Sequence, residues 1–142
     1  MATLFTRIIS GELPGRFVWQ DELCVGFLSI GPLSTGHTLV VPRQEIDKWT
    51  DAPAELVAHL SVVAQIIGRA QVAAFGAERA GLEIAGFEVP HLHLHVWPVN
   101  SLADFDLSRA RTDVPAEEFD AALHTLRAAL VTQGHGEFVP QA

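Results

Sequence analysis

The sequence contains a single cysteine, Cys24, among 142 residues. An intramolecular disulfide is therefore impossible, and we expect a reducing, cytoplasmic setting. No apolar run approaches the roughly 20 residues that a bilayer span needs. The first seven residues also lack the long apolar stretch of a signal peptide. We therefore predict neither a membrane span nor a leader.

Basic residues are also scarce, with 9 Lys and Arg against 17 Asp and Glu, which gives a net charge of −8. This balance argues against binding along a nucleic acid backbone, which requires a basic patch. A single nucleotide is not excluded, because backbone N–H groups and imidazoles can hold one phosphate. The length predicts one domain over residues 1–142, and the 49% hydrophobic content is enough for a sizeable core.

The apolar pattern predicts an α+β fold. Residues 4–9 form a helical turn or edge segment, and strands are predicted at 17–19, 24–30, 38–41, 81–85 and 89–99. Helices are predicted at 53–75, where Leu56, Leu60, Val63 and Ile67 share one face, and at about 115–132. The predicted strands are joined by short turns and are interrupted by one long helix before the chain returns to strands. This order favours an antiparallel sheet of about five strands over a doubly wound parallel one.

Three of the seven histidines lie within five residues, at His91, His93 and His95. Side chains alternate along a strand, so the three imidazoles should share one face. His91 and His95 would lie ~13 Å apart at ~3.3 Å per residue, too far to share one tetrahedral zinc with bonds of ~2.1 Å. A metal site using two of them with further ligands remains open. The row favours phosphate chemistry, because it offers a nucleophilic nitrogen and proton donors.

The run His91-Leu-His93-Leu-His95-Val96-Trp97 resembles the signature of the histidine triad superfamily, in which three histidines alternate with apolar residues. The resemblance covers about residues 3–105. It includes the stretch 36–42 with His37, and 86–91 before the triad. The sequence is similar to the bacterial nucleoside phosphoramidase branch. The resemblance implies a HIT-like fold with a long central helix and a C-terminal helix, and a homodimer.

The resemblance also implies a mechanism. His93 would attack the α-phosphorus of a purine nucleotide conjugate, such as a nucleoside phosphoramidate, and form a nucleotidyl-histidine that water resolves. His95 would contact the phosphate and help to protonate the leaving group. His91 and His37 would orient the nucleophile. The alternatives are a dinucleoside polyphosphate hydrolase and a nucleotide-binding regulatory protein with weak catalysis.

The same resemblance predicts the nucleotide pocket. The residues implied in binding the nucleotide are Phe5, Ile8, Leu13, Phe27, Ser29, Ile30 and Asn100. Ser29 stands where an aspartate commonly meets the ribose hydroxyls, and Asn100 has a turn role as its alternative.

Other positions bear on metal content and substrate choice. Some bacterial members carry a structural zinc on N-terminal cysteines, whereas this chain has Thr3 and Thr6, so we expect no metal and no cofactor. Phe87 stands where glutamine is common. Glu88 replaces a serine or threonine that commonly touches the phosphate, and is expected to point away.

Overall fold

The computed structural model describes residues 2–140 of the chain. One sheet holds five strands: β1 Phe17–Gln20, β2 Cys24–Leu28, β3 Thr38–Pro42, β4 Arg79–Glu83 and β5 Leu94–Val99. The α-helices are α1 Leu4–Ile9, α2 Ala54–Phe75 and α3 Ala116–Thr132. The strand order is β1-β2-β3-β5-β4, and every neighbouring pair is antiparallel. The predicted α+β fold with a five-stranded antiparallel sheet is confirmed.

The two faces of the sheet carry different cores, because side chains alternate along each strand. On one face, Val40 of β3 and Leu94 and Val96 of β5 pack in a core shared with α2 and α3. On the other, Leu39 and Val41 of β3 join a smaller cluster that includes residues of α1. His95 therefore points to the α1 face, which we call the open face.

Helix α2 buries the stripe that the sequence predicts, with Leu56, Leu60, Val63 and Ile67 against the sheet. It ends at Gly76, whose left-handed backbone, with φ of 66°, suits glycine. By length and composition it could cross a bilayer, with a mean hydropathy of 1.4, contrary to the expectation that no apolar run approaches that length. Its packing on β3, β4, β5 and α3 is that of a core helix.

Strand β5 is shorter than predicted. It begins at Leu94, so the expected strand over 89–99 is wrong for residues 89–93. The backbone there bonds to loops, since Leu92 N–H donates to the Ile46 carbonyl at 2.6 Å. The alternation of side chains between the two faces of the sheet persists in part, because Leu92 and Leu94 both lie in the core shared with α2.

The C-terminal part closes over β1. Helix α3 packs on α2 and β1, as the predicted helix at 115–132 requires. The segment that follows α3 packs against β1. The Phe138 ring stacks on Trp19 at 4.7 Å between centroids, and the His135 ring lies 5.9 Å from the same indole. A large aromatic surface on β1 thus fixes the tail.

Candidate functional site

The open face of the sheet forms one wall of a cavity of about 840 Å³. Three of the four predicted catalytic histidines line it: His37, His93 and His95. Of the predicted nucleotide-binding residues, five line it as well: Phe5, Ile8, Phe27, Ser29 and Ile30. A cavity of this size, mainly apolar with a few convergent polar groups, has the properties of a small-molecule site.

The imidazole of His93 is held in one orientation. Its Nδ1 lies 2.7 Å from the backbone carbonyl oxygen of His91. A carbonyl can only accept, so Nδ1 carries the proton and Nε2 keeps its lone pair. Burial lowers the pKa of His93, although the His91 carbonyl and the Glu88 carboxylate act in the opposite direction. A neutral imidazole with a free Nε2 is a competent nucleophile near pH 7.

His37 and His95 form a second hydrogen-bonded unit. The Leu33 N–H donates to His37 Nδ1 at 3.0 Å, so His37 carries its proton on Nε2. That proton is donated to His95 Nδ1, 3.0 Å away. His95 is therefore left with a proton on Nε2. Burial is the main cause that lowers the pKa of His37 to about 3 and of His95 to about 4, with a further contribution from the neighbouring histidine in each case.

The rings of His93 and His95 are neighbours, with centroids 5.0 Å apart. The backbone thus selects opposite tautomers for them. His93 presents an acceptor at Nε2, and His95 presents a donor at Nε2. A nucleophile beside a hydrogen-bond donor is the arrangement that attack on a phosphate requires.

His91 is the fourth predicted catalytic histidine, and it does not line the cavity. It is fully buried. Its Nε2 donates to the Pro42 carbonyl at 2.8 Å, and its Nδ1 lies 2.6 Å from the Thr3 hydroxyl. The structure therefore places His91 behind His93, whose Nδ1–H its backbone carbonyl accepts.

The predicted pocket residues play two parts at once. Phe5 and Phe27 pack edge to face at 5.5 Å in the smaller core and also line the cavity. The Phe5 ring meets the His93 ring at 4.9 Å. Ile30, by contrast, is 84% exposed at the rim. Such an exposed apolar residue beside a cavity is available to contact a ligand.

Two predicted binding residues lie elsewhere. Leu13 follows α1 in a turn, where its N–H donates to the Arg7 carbonyl, and it is not part of the cavity lining. The Asn100 side chain accepts a hydrogen bond from the Glu78 N–H at 2.8 Å, which is the turn role that the sequence left as the alternative.

Sequence reasoning missed several lining residues, among them Arg16 and Phe119. Arg16 pairs with Asp120 of α3 at 2.9 Å and lies 4.9 Å from the Phe119 ring centroid. These partners are about 100 residues apart in the chain, so no local pattern signals them. Among the described lining residues, Arg16 and Glu88 are the ones with charged side chains, histidines aside. The expectation that Glu88 points away from the phosphate site is therefore wrong, because this residue lines the cavity and its charge acts on His93.

Metal-ligand types meet at one place in residues 2–140, away from the cavity. One atom each of Asp21, Cys24 and His59 lies within 4.8 Å of the others. Asp21 already accepts hydrogen bonds from the Trp19 indole and the His59 imidazole, both at 2.8 Å. Hydrogen bonding within the protein accounts for this cluster. The expectation of no metal at the N-terminus stays a prediction.

The comparisons with known proteins agree with this geometry. The HIT domain model matches residues 10–102. A zinc-bound histidine triad family protein from Mycobacterium smegmatis superposes with a TM-score of 0.80 at 34% identity, covering 96% of this chain and 98% of its own.

Two further proteins are similar. A hypothetical histidine triad nucleotide-binding protein from Sulfolobus tokodaii has a TM-score of 0.76 at 27% identity, covering 90% of this chain and 91% of its own. An adenylylsulfatase from Arabidopsis thaliana is 31% identical over 100 residues, which are 67% of this chain and 51% of that protein. The matched domain, the histidine run and the fold show that the chain belongs to the HIT family.

Proposed function

We propose that this protein is a nucleotidyl hydrolase or transferase that acts at the α-phosphate of a purine nucleotide conjugate, such as a nucleoside phosphoramidate. The observation that carries the proposal is the pair of tautomers in the cavity. His93 offers the Nε2 lone pair, and His95 offers an Nε2–H beside it. The nucleotide-binding relative and the adenylylsulfatase relative support a nucleotide substrate.

The reaction proceeds in two displacements. His93 Nε2 forms a bond to the α-phosphorus as the bond from phosphorus to the leaving nitrogen breaks. The leaving nitrogen takes one proton from the solvent as this bond breaks and departs as a neutral amine. Water then attacks the nucleotidyl-histidine, the bond between phosphorus and Nε2 breaks, and one proton passes to the solvent.

The histidines divide the work of these steps. The Nδ1–H of His93 stays on the His91 carbonyl and spreads the positive charge that the ring acquires. The Nε2–H of His95 donates to a phosphate oxygen and stabilises the transition state. Because His95 accepts from His37 at Nδ1, it acts here as a hydrogen-bond donor in its neutral form, and not as the proton source for the leaving group that the family resemblance implies.

Charge in the cavity favours the phosphoramidate over the first alternative, a dinucleoside polyphosphate. A polyphosphate leaving group adds negative charge that Lys or Arg normally neutralises. The cationic lining residue, Arg16, is already paired with Asp120, and Glu88 adds a negative charge. Ser29, Phe87 and Glu88, all departures from the family pattern, motivate the second alternative, a regulatory protein that binds nucleotides with weak catalysis.

The test is to incubate the protein with adenosine 5′-phosphoramidate and to follow AMP release by chromatography. Single-turnover experiments with substrate labelled at the α-phosphorus should trap label on the protein. His93→Ala should abolish both signals. His124→Ala is the matched control, because His124 is exposed on α3 and should leave both signals unchanged.

Three other outcomes would each contradict part of the proposal. Full turnover by His93→Ala would remove the nucleophile assignment. Turnover of a dinucleoside polyphosphate but not of the phosphoramidate would favour the first alternative. AMP binding in calorimetry without turnover of either compound would favour the regulatory protein.

We also propose that the protein is a cytoplasmic homodimer. Strand β4 is an edge of the sheet, and its Leu82 is about half exposed. Val62 on α2 is also about half exposed. Sedimentation equilibrium of the protein and of Leu82→Lys would test the dimer, and a monomeric wild type would contradict it. Cell fractionation would test the location.

A further inference from the structure

The buried ring of His91 is held at both nitrogens. Its Nε2 lies 2.8 Å from the Pro42 carbonyl, which can only accept, so Nε2 carries the proton. Its Nδ1 therefore has a lone pair and accepts the Thr3 hydroxyl proton at 2.6 Å. Thr3 lies 88 residues away in the chain, immediately before α1. The start of α1 is thus joined to the histidine triad.

Glu45 holds the other end of this connection. Its Oε1 accepts from the Thr3 N–H at 2.9 Å and from the Thr6 hydroxyl at 2.6 Å. Thr3 Oγ1 in turn accepts from the Thr6 N–H at 3.1 Å. One carboxylate after β3 therefore fixes both threonines. We call Thr3, Thr6, Glu45 and His91 the N-terminal tether.

The tether lies directly behind the nucleophile. The contacts of the His91 ring also fix the position of the His91 backbone. The backbone carbonyl of His91 accepts the His93 Nδ1–H at 2.7 Å. The next residue after Glu45 also contributes, because the Ile46 carbonyl accepts from the Leu92 N–H. A shift of His91 would therefore move the His93 ring and release its tautomer.

The same tether places a wall of the cavity. Helix α1 begins at Leu4 and carries Phe5, whose ring lies 4.9 Å from the His93 ring. Phe5 and Ile8 line the cavity. Helix α1 has six residues, too few to be stable alone, so its position depends on such contacts.

We propose that Glu45 and Thr3 are positioning residues for His93, acting through His91 to hold the nucleophile in its attacking orientation and tautomer. The inference rests on the proposed function, since it assumes that His93 is the nucleophile. Neither residue is part of the cavity lining. If Thr3 served only as the N-cap of α1, its replacement would instead lower the stability of the protein and weaken substrate binding.

The experiment compares Thr3→Val, which keeps the shape but removes the hydroxyl, with Thr3→Ser, which restores it. We expect Thr3→Val to slow the single-turnover formation of nucleotidyl-His93 by about ten- to a hundredfold, since small misplacements of reacting groups cost this much. KM should change by less than about threefold, because few substrate contacts are lost. Thr3→Ser should recover most of the rate, and Glu45→Ala should behave as Thr3→Val does.

A second measurement tests the effect of the tether on the His93 tautomer and does not depend on turnover. The ¹⁵N chemical shifts of the imidazoles report which nitrogen carries the proton. We expect His93 to be protonated on Nδ1 in the wild type and to become a mixture of tautomers in Thr3→Val and Glu45→Ala. Glu22→Gln, in the exposed turn between β1 and β2, is the matched control and should alter neither the rate nor the shifts.

The outcomes separate this inference from the proposed function. A wild type without turnover would overturn the proposed function, and the imidazole shifts would still decide whether the tether sets the His93 tautomer. A Thr3→Val enzyme with the wild-type rate, or one whose loss lies wholly in KM, would overturn the inference. So would a His93 tautomer that is unchanged in both tether variants.

Discussion

The His37 imidazole donates its Nε2–H to Nδ1 of His95 across 3.0 Å. His37 immediately precedes β3, and His95 lies on the neighbouring strand β5. The direction of this bond is set by the backbone, because the Leu33 N–H occupies His37 Nδ1. A relay of this kind fixes the tautomer of His95, which lines the cavity. It also keeps both rings neutral, since a proton on either would place two donors face to face.

The pH dependence of activity should reflect these neutral rings. The pKa of His37 is lowered to about 3 and that of His95 to about 4, mainly by burial. We expect the acidic limb of kcat/KM per folded molecule to lie well below pH 6.5, because burial lowers the pKa of the proposed nucleophile His93 as well, and kcat/KM reports the free enzyme. Ordinary histidines would give half loss near pH 6.5.

The control for this profile is the folded fraction at each pH. Unfolded histidines bind protons near pH 6.5, whereas the folded ones do not until about pH 4 or 3. The unfolded state therefore binds more protons as the pH falls below about 6.5, and stability decreases in that direction. Circular dichroism separates this loss from titration of the site. An activity limb at pH 6 to 7 in fully folded protein would contradict the prediction.

Replacing His37 by Phe should lower kcat more than it raises KM. The ring shape is kept, but His95 Nδ1 loses its donor, so the Nε2–H that faces the substrate is no longer enforced. We expect kcat to fall by about ten- to a hundredfold, as for other losses of orientation at a reacting group. Steady-state kinetics on the phosphoramidate measures this, with His124→Phe as the exposed control; equal kcat values would refute the relay.

The turn before β3 should tolerate no side chain at Gly36. Its φ is 91°, and a Cβ there would overlap the Phe75 ring. Gly36→Ala should lower the free energy of unfolding by about 2–4 kcal/mol, from backbone strain together with overpacking. Urea titration measures the change.

Gly134 provides the matched control for Gly36. Its φ is 92°, but a Cβ there meets nothing within 4 Å. Gly134→Ala should therefore cost only the backbone strain of about 1 kcal/mol. Equal losses in the two variants would show that the Phe75 contact contributes nothing.

Gln71 should stabilise the junction between β3 and β5. It is fully buried on α2, and its Nε2 donates to the carbonyls of Gly36 and Val96, both at 2.9 Å. Gln71→Leu would remove both hydrogen bonds and leave the Gly36 carbonyl with the Thr38 hydroxyl alone, and we expect a loss of about 1–3 kcal/mol. Thermal and urea unfolding measure it against Gln65→Leu, an exposed change on the same helix that should cost almost nothing.

Much of the fold was predictable, because it depends on local periodicity. The apolar stripe of α2 repeats at helical spacing, and Leu56, Leu60 and Ile67 are buried as predicted. The strands of alternating or β-branched residues were also found within a few residues of their predicted bounds. The beginning of β5 was not predictable, because residues 89–93 alternate like a strand but bond to the loop at Ile46.

The site was predictable only where its residues are close in the chain. His93 and His95 are two residues apart on alternating positions, and both line the cavity. Arg16 and Phe119 line the cavity because elements that are far apart in the sequence contact each other in the fold. The placement of Leu13 and Asn100 likewise depended on turns whose hydrogen bonds the sequence does not specify.

The sequence by itself determined which residues are the candidates for catalysis, since the histidine run and its resemblance to the histidine triad superfamily follow from residue type and spacing. The tertiary structure decided what each histidine can do. Whether a ring nitrogen accepts or donates depends on the group that faces the other nitrogen. Those groups, the Leu33 N–H, the Thr3 hydroxyl and the Pro42 carbonyl, come from other parts of the chain and meet the rings only after folding.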